Sequence, residues 1–170
     1  AGDALTTGGF NVAVGYLALS AEDENGRNVA IGNNTLMTQN AGADAYNVAV
    51  GFAAGEAIST GVQNTFVGGQ AGDALTTGSY NVAVGRHALS TEDAHGKNVA
   101  IGFQALYAQN AGADAYNVAV GYNTGGAILT GLYNTAVGGE ALLTNVDGDN
   151  NTAMGYQALK TFEADTDGHG

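Results

Sequence analysis

The sequence predicts an all-β chain wound as a parallel β-solenoid of about nine coils, each 17–19 residues long. Three observations lead there. A short element of the form N-x-A-x-G returns nine times at near-constant spacing. Its apolar residues alternate with the period of two that belongs to strands. No segment carries a helix-length amphipathic stripe.

Self-similarity is visible at two scales. Residues 1–70 align with 71–140 without a gap, and 48 of the 70 positions are identical. Within each block the short element begins at Asn11, Asn28, Asn47 and Asn64, then at Asn81, Asn98, Asn117 and Asn134, with a ninth copy at Asn151. The spacings are 17, 19, 17, 17, 17, 19, 17 and 17 residues, so one 70-residue block is four coils. The two extra residues fall in the NAGADAYN stretches at Asn40 and Asn110, whose small and polar composition reads as a widened loop. The array covers residues 1–161; residues 162–170 read as a polar tail or the start of another repeat, and the chain is expected to be a piece of a longer array.

In each strand the two x positions share one face and the central residue takes the other. The second x is Val, Ile or Met in all copies and the first is Val or Thr, which predicts a β-branched ladder filling the chain's interior. The central residue is Ala in eight copies and Phe66 in the remaining one. Ala is a poor strand former, so a face of small residues predicts close approach of a neighbouring chain. On that reading Ala13, Ala30, Ala49, Ala83, Ala100, Ala119, Ala136 and Ala153 form an oligomer interface.

The Asn that opens each strand, and the Gly that closes it at Gly15, Gly32, Gly51, Gly68, Gly85, Gly102, Gly121, Gly138 and Gly155, suit a turn needing positive φ or a side-chain cap. Stacked coils would align the Asn side chains as a ladder. The second half of each coil has two forms, G-x-x-A-L as in Gly15 to Leu19, and G-x-x-A-G-x-A-[IL] as in Gly51 to Ile58, and each supplies one aliphatic residue to the core. A helical solenoid is the competing architecture, but period two and a Gly after every strand disfavour it. Nine coils stacked ~4.8 Å apart give a rod of roughly 40 Å.

Composition narrows the function classes. Four cationic residues face sixteen carboxylates, for a net charge of -12, which repels nucleic-acid backbones. No apolar run approaches the ~18–20 residues that span a bilayer. Cys is absent, which excludes disulfides and thiolate metal sites.

The nine elements, several continuing as G-Y-x-A-L, resemble the head repeats of YadA-like trimeric autotransporter adhesins and the NTAxGYQAL arrays of phage tail-fibre proteins; NTAMGYQAL at Asn151–Leu159 is the nearest stretch. The resemblance covers nearly the whole chain. It implies a left-handed β-roll associating as a homotrimer. The coils here are longer than those of the adhesin heads, and the choice between phage fibre and bacterial adhesin stays open.

Candidate chemistry is sparse. Ser20, Ser59, Ser79, Ser90, His87, His95 and His169 form no recurring constellation, and His87 and His95 stand where the other block has Leu17 and Asn25. The glycines lack the Lys-Ser/Thr of a phosphate loop. No cofactor is expected. Calcium is the ligand to weigh, with Asp23, Asp93, Asp147 and Asp149 as candidates beside Glu22, Glu24 and Glu92, but the spacing matches neither an EF-hand nor a GGxGxD solenoid. These carboxylates are read as solvated loop tips. The scattered Thr residues give no continuous ice-binding ladder. Tyr16, Phe52, Phe103, Tyr122 and Tyr156 offer a possible glycan stripe but fit better as corner cover. The expected function is a non-enzymatic structural or adhesive fibre segment, extracellular or on a virion, that contacts a cell-surface receptor or glycan. The alternatives are a self-polymerising filament and a calcium-dependent adhesion module.

Overall fold

The computed structural model describes residues 1–22 and 24–162. Nine strands are present among them and no helix: β1 (Val12–Val14), β2 (Val29–Ile31), β3 (Val48–Val50), β4 (Thr65–Val67), β5 (Val82–Val84), β6 (Val99–Ile101), β7 (Val118–Val120), β8 (Thr135–Val137) and β9 (Thr152–Met154). They form one parallel sheet in chain order. Register is in phase throughout, Ala13 opposite Ala30, Ala30 opposite Ala49, and so on to Ala136 opposite Ala153. Each coil therefore stacks on its own sequence equivalent, and the chain is a β-solenoid.

Two further backbone ladders hold the half-coil that follows each Gly. The fourth residue after Gly donates its amide to the next coil, as in Leu19 to the Thr35 carbonyl at 3.0 Å and Gly55 to the Ala71 carbonyl at 3.0 Å. The second residue after Gly donates to the preceding coil, as in Asn34 to Tyr16 at 2.8 Å and Gln104 to Arg86 at 3.0 Å. This half-coil is not extended. Positive φ recurs at three fixed places per coil, in non-Gly residues before the Asn (Phe10, Arg27, Tyr46) and two after the Gly (Leu17, Asn34, His87), and four after it in Leu19, Leu36 and Leu89 or in Gly55, Gly72 and Gly125. Left-handed backbone costs the non-Gly residues about 1–2 kcal/mol each, and the inter-coil hydrogen bonds offset that cost. The strand-closing glycines have φ between 119° and 141° and pack directly on one another; a Cβ at Gly32 would overlap the Gly51 carbonyl.

The interior reverses the sequence expectation for the strand faces. Ala30, Ala49, Ala83, Ala100 and Ala119 are fully buried in the chain's own core, and Ala136 and Ala153 lie in its continuation with Leu142. Ala13 packs against the same core partly buried. None of the eighteen flanking Val, Ile, Thr and Met side chains is buried. The alanines are thus not an oligomer interface. The coil is thin, and across it stands a Leu or Ile from the second half-coil, so only a methyl group fits on the strand's inner side.

Two solutions fill that space. In one, Leu occupies the fourth place after Gly and a buried polar residue the seventh, as in Leu19 with Glu22, Leu36 with Gln39, Leu89 with Glu92, Leu106 with Gln109 and Leu142 with Asn145. In the other, Gly occupies the fourth place and an aliphatic the seventh, as in Gly55 with Ile58, Gly72 with Leu75 and Gly125 with Ile128. Phe66 fits in place of Ala because both adjoining coils use the second solution; a Cβ at Gly55 would stand 2.8 Å from the Phe66 ring, and one at Gly72 would overlap it.

The Asn column forms the predicted ladder. The Oδ1 of each Asn accepts the backbone amide of the next, in an unbroken run of eight links from Asn11–Asn28 to Asn134–Asn151 at 2.8–3.1 Å. The Nδ2 groups mostly donate to a carbonyl fourteen residues on, as from Asn64 to Gly78 at 2.9 Å. The buried Nδ2 of Asn28 and of Asn98 have no partner, and in both cases the following coil is the one lengthened by two residues.

Candidate functional site

The outward face of the sheet presents a continuous row of exposed and half-buried apolar side chains. Its two central columns are the Val/Thr and Val/Ile/Met residues flanking each buried Ala. Val12, Val14, Ile31, Val67, Ile101 and Met154 are among its exposed members. On one side runs the column preceding each Asn, from Phe10 through Arg27, Tyr46, Tyr80 and Lys97 to Tyr116 and Tyr133. On the other runs the column following each Gly, with Tyr16, Phe52, Tyr122 and Tyr156 all exposed. These aromatics stack along the rod: Tyr116 on Tyr133 with centroids 5.6 Å apart, and Phe103 on Tyr122 at 5.4 Å. The Arg27 guanidinium lies 5.0 Å from the Phe10 ring and 5.5 Å from Tyr46.

Charge is segregated around this face. Its four columns contain no carboxylate, although the chain has sixteen, and they hold three of the four cationic residues, Arg27, Arg86 and Lys97. Arg27 pairs with Asp44 and Lys97 with Asp114, each at 2.6 Å in the neighbouring coil. The Lys97 contact holds the Asp114 carboxyl below its usual range. Both pairs are well exposed to water, so their main effect is orientation of the side chains.

The acidic turns divide differently from the sequence expectation. Glu22 and Glu92 are fully buried, each the polar seventh residue of its coil, and each accepts an amide three residues on: Asn25 N–H to Glu22 Oε1 and His95 N–H to Glu92 Oε1, both at 3.1 Å. They are therefore core caps rather than solvated tips. Burial raises the Glu92 carboxyl above its ordinary range, opposed by the His95 amide that hydrogen-bonds to it. Asp93 and Asp147 are exposed. Asp149 is half-buried, and its Oδ1 accepts the Leu132 amide at 2.6 Å. Asp23, a calcium candidate from the sequence, lies outside the described residues, as does His169.

Sequence reasoning missed this buried polar column, although the aligned coils show it as Glu22, Gln39, Glu92, Gln109 and Asn145 at one offset. In the widened coils the amide version completes the network: Gln39 Oε1 accepts from Asn47 Nδ2 at 2.7 Å, and Gln109 does the same for Asn117. The serines are tied into the stack, Ser20 donating to the Met37 carbonyl at 3.3 Å and Ser59 to the Thr76 carbonyl at 3.1 Å.

Fold and face together define a β-solenoid repeat protein with one sheet face rich in apolar side chains and free of carboxylates. No family model, no curated protein and no solved structure matches the chain. No helix among the described residues is long and apolar enough to cross a membrane.

Proposed function

We propose that the chain is a non-enzymatic structural segment of an extracellular or virion-borne fibre, rigid along its axis and assembled as a homo-oligomer through the outward face of its sheet. The observation that carries this is the coincidence of apolar character and missing carboxylates on that face, in a chain of net charge -12. Random placement of sixteen acids would have put like charges there, and like charges across a seam oppose self-association. The face measures roughly 40 Å along the stack and up to ~20 Å across its four columns. About 800 Å² per partner is the scale of a stable protein interface. A homotrimer and a role in contacting cells rest on the likeness of NTAMGYQAL at Asn151–Leu159 to adhesin and tail-fibre repeats.

The test is the mass in solution, by sedimentation or light scattering, of the parent and of a Val84→Asp/Ile101→Asp variant. Both positions are on the outward face, so the variant should keep its β-rich spectrum and sediment as a monomer. A parent that is monomeric at high concentration refutes the reading, as does a variant that retains the parent's mass.

A further inference from the structure

The turn after β5 places three potential ligands side by side. Glu92, Asp93 and His95 each offer one ligand atom, all within 4.8 Å of one another. Glu92 is fully buried, and while its Oε1 takes the His95 amide, its Oε2 has no hydrogen-bond partner. His95 Nδ1, also buried, has no hydrogen-bond partner and lies 3.7 Å from Glu92 Oε1. An ionised carboxylate held in the core without full compensation is costly, and a cation is one of the few things that relieves it.

We infer that Glu92, Asp93 and His95 form a binding site for a first-row divalent cation of the zinc type. One imidazole nitrogen and two carboxylate oxygens are a donor set for such an ion, whereas calcium takes six to eight oxygens. Four-coordinate bonds of ~2.0–2.2 Å put ligand atoms ~3.4 Å apart. The Glu92–His95 separation is already close to that, and Asp93, exposed at the turn, has the freedom to close in. Water would complete the shell. The backbone cap from His95 to Glu92 is the same as that from Asn25 to Glu22 in the first block, so the turn is built without the metal and the His adds the ligand.

The comparison of blocks supplies the experiment. Zinc chloride is titrated calorimetrically into metal-free protein, and the imidazole resonances are followed by NMR. One ion per chain should bind and shift the His95 signals. His95→Asn, which restores the first block's residue, and Asp93→Asn should each weaken binding about tenfold or more, the scale seen when a metal's coordination is disturbed. Their far-UV spectra and metal-free melting temperatures should match the parent, and His87→Asn should bind normally. Absence of binding at millimolar zinc overturns the assignment. So does affinity that survives His95→Asn, or calcium binding as tight as zinc.

Discussion

Phe66 is the single large residue at a strand centre, and its ring occupies space left by the missing Cβ atoms of Gly55 and Gly72. Phe66→Ala should cost about 3–5 kcal/mol, the range for truncating a fully buried aromatic whose surroundings collapse only partly. Gly72→Ala in the parent should cost about 1–3 kcal/mol for overpacking against the ring, plus about 1 kcal/mol for an L-residue at φ +58°. With the ring gone, only the backbone cost remains. The double variant should therefore be more stable than the two single losses add up to, by about 1–3 kcal/mol. Seventy residues further along, the chain already makes a related exchange, with Ala136 for Phe66, Leu142 for Gly72 and Asn145 for Leu75. Denaturant titration followed by circular dichroism, with hydrogen exchange of the β3–β5 amides to localise the loss, measures the cycle. Costs that add to within about 0.5 kcal/mol would refute the idea that glycine columns make room for the ring.

Three other outcomes follow from the core. Ala100→Glu places a charge in the chain's own interior and should lower the melting temperature sharply whatever the oligomeric state, which separates it from the outward Val84→Asp/Ile101→Asp variant; equal effects in both would contradict the assigned faces. Asn81→Ala removes the acceptor of the Asn98 amide and should cost about 1–3 kcal/mol, with Asn98 losing hydrogen-exchange protection first. For Glu92, burial favours the protonated form in the folded state, so its contribution is fully present below the ordinary carboxylate range and is lost as pH rises through its elevated range. Metal-free Glu92→Gln should thus match the parent near pH 4 and gain on it toward pH 7; melting curves showing a constant gap across that range would contradict the buried-carboxylate account.

The period, the strand positions, the parity of the faces and the Asn ladder were all legible, because spacing and alternation encode them directly. The direction of the faces was not. Both sides of N-V-A-V-G are apolar, so hydrophobicity assigns neither one to the interior, and the decision falls to the thinness of the coil and the Leu standing opposite. Residues such as Tyr46, Arg27 and Leu19 gave no hint of their left-handed backbone, since none favours it intrinsically and only the stacked hydrogen bonds impose it. Glu92 read as a solvated acid because it sits between polar neighbours; only the column with Gln39, Gln109 and Asn145 marks it as interior.

The inter-coil hydrogen bonds run along the rod while the strands lie across it, and this geometry sets how the rod would yield under tension. A pull applied along the axis loads the bonds of one terminal coil at a time, as in opening a zip, instead of shearing many at once. Each coil that lets go releases 17 or 19 residues, roughly 55–70 Å of contour against the ~4.8 Å it had occupied. Under an axial load such a rod would therefore yield from its ends one coil at a time, the coils between staying intact, and each turn that rewinds would be re-registered by its Asn side chain.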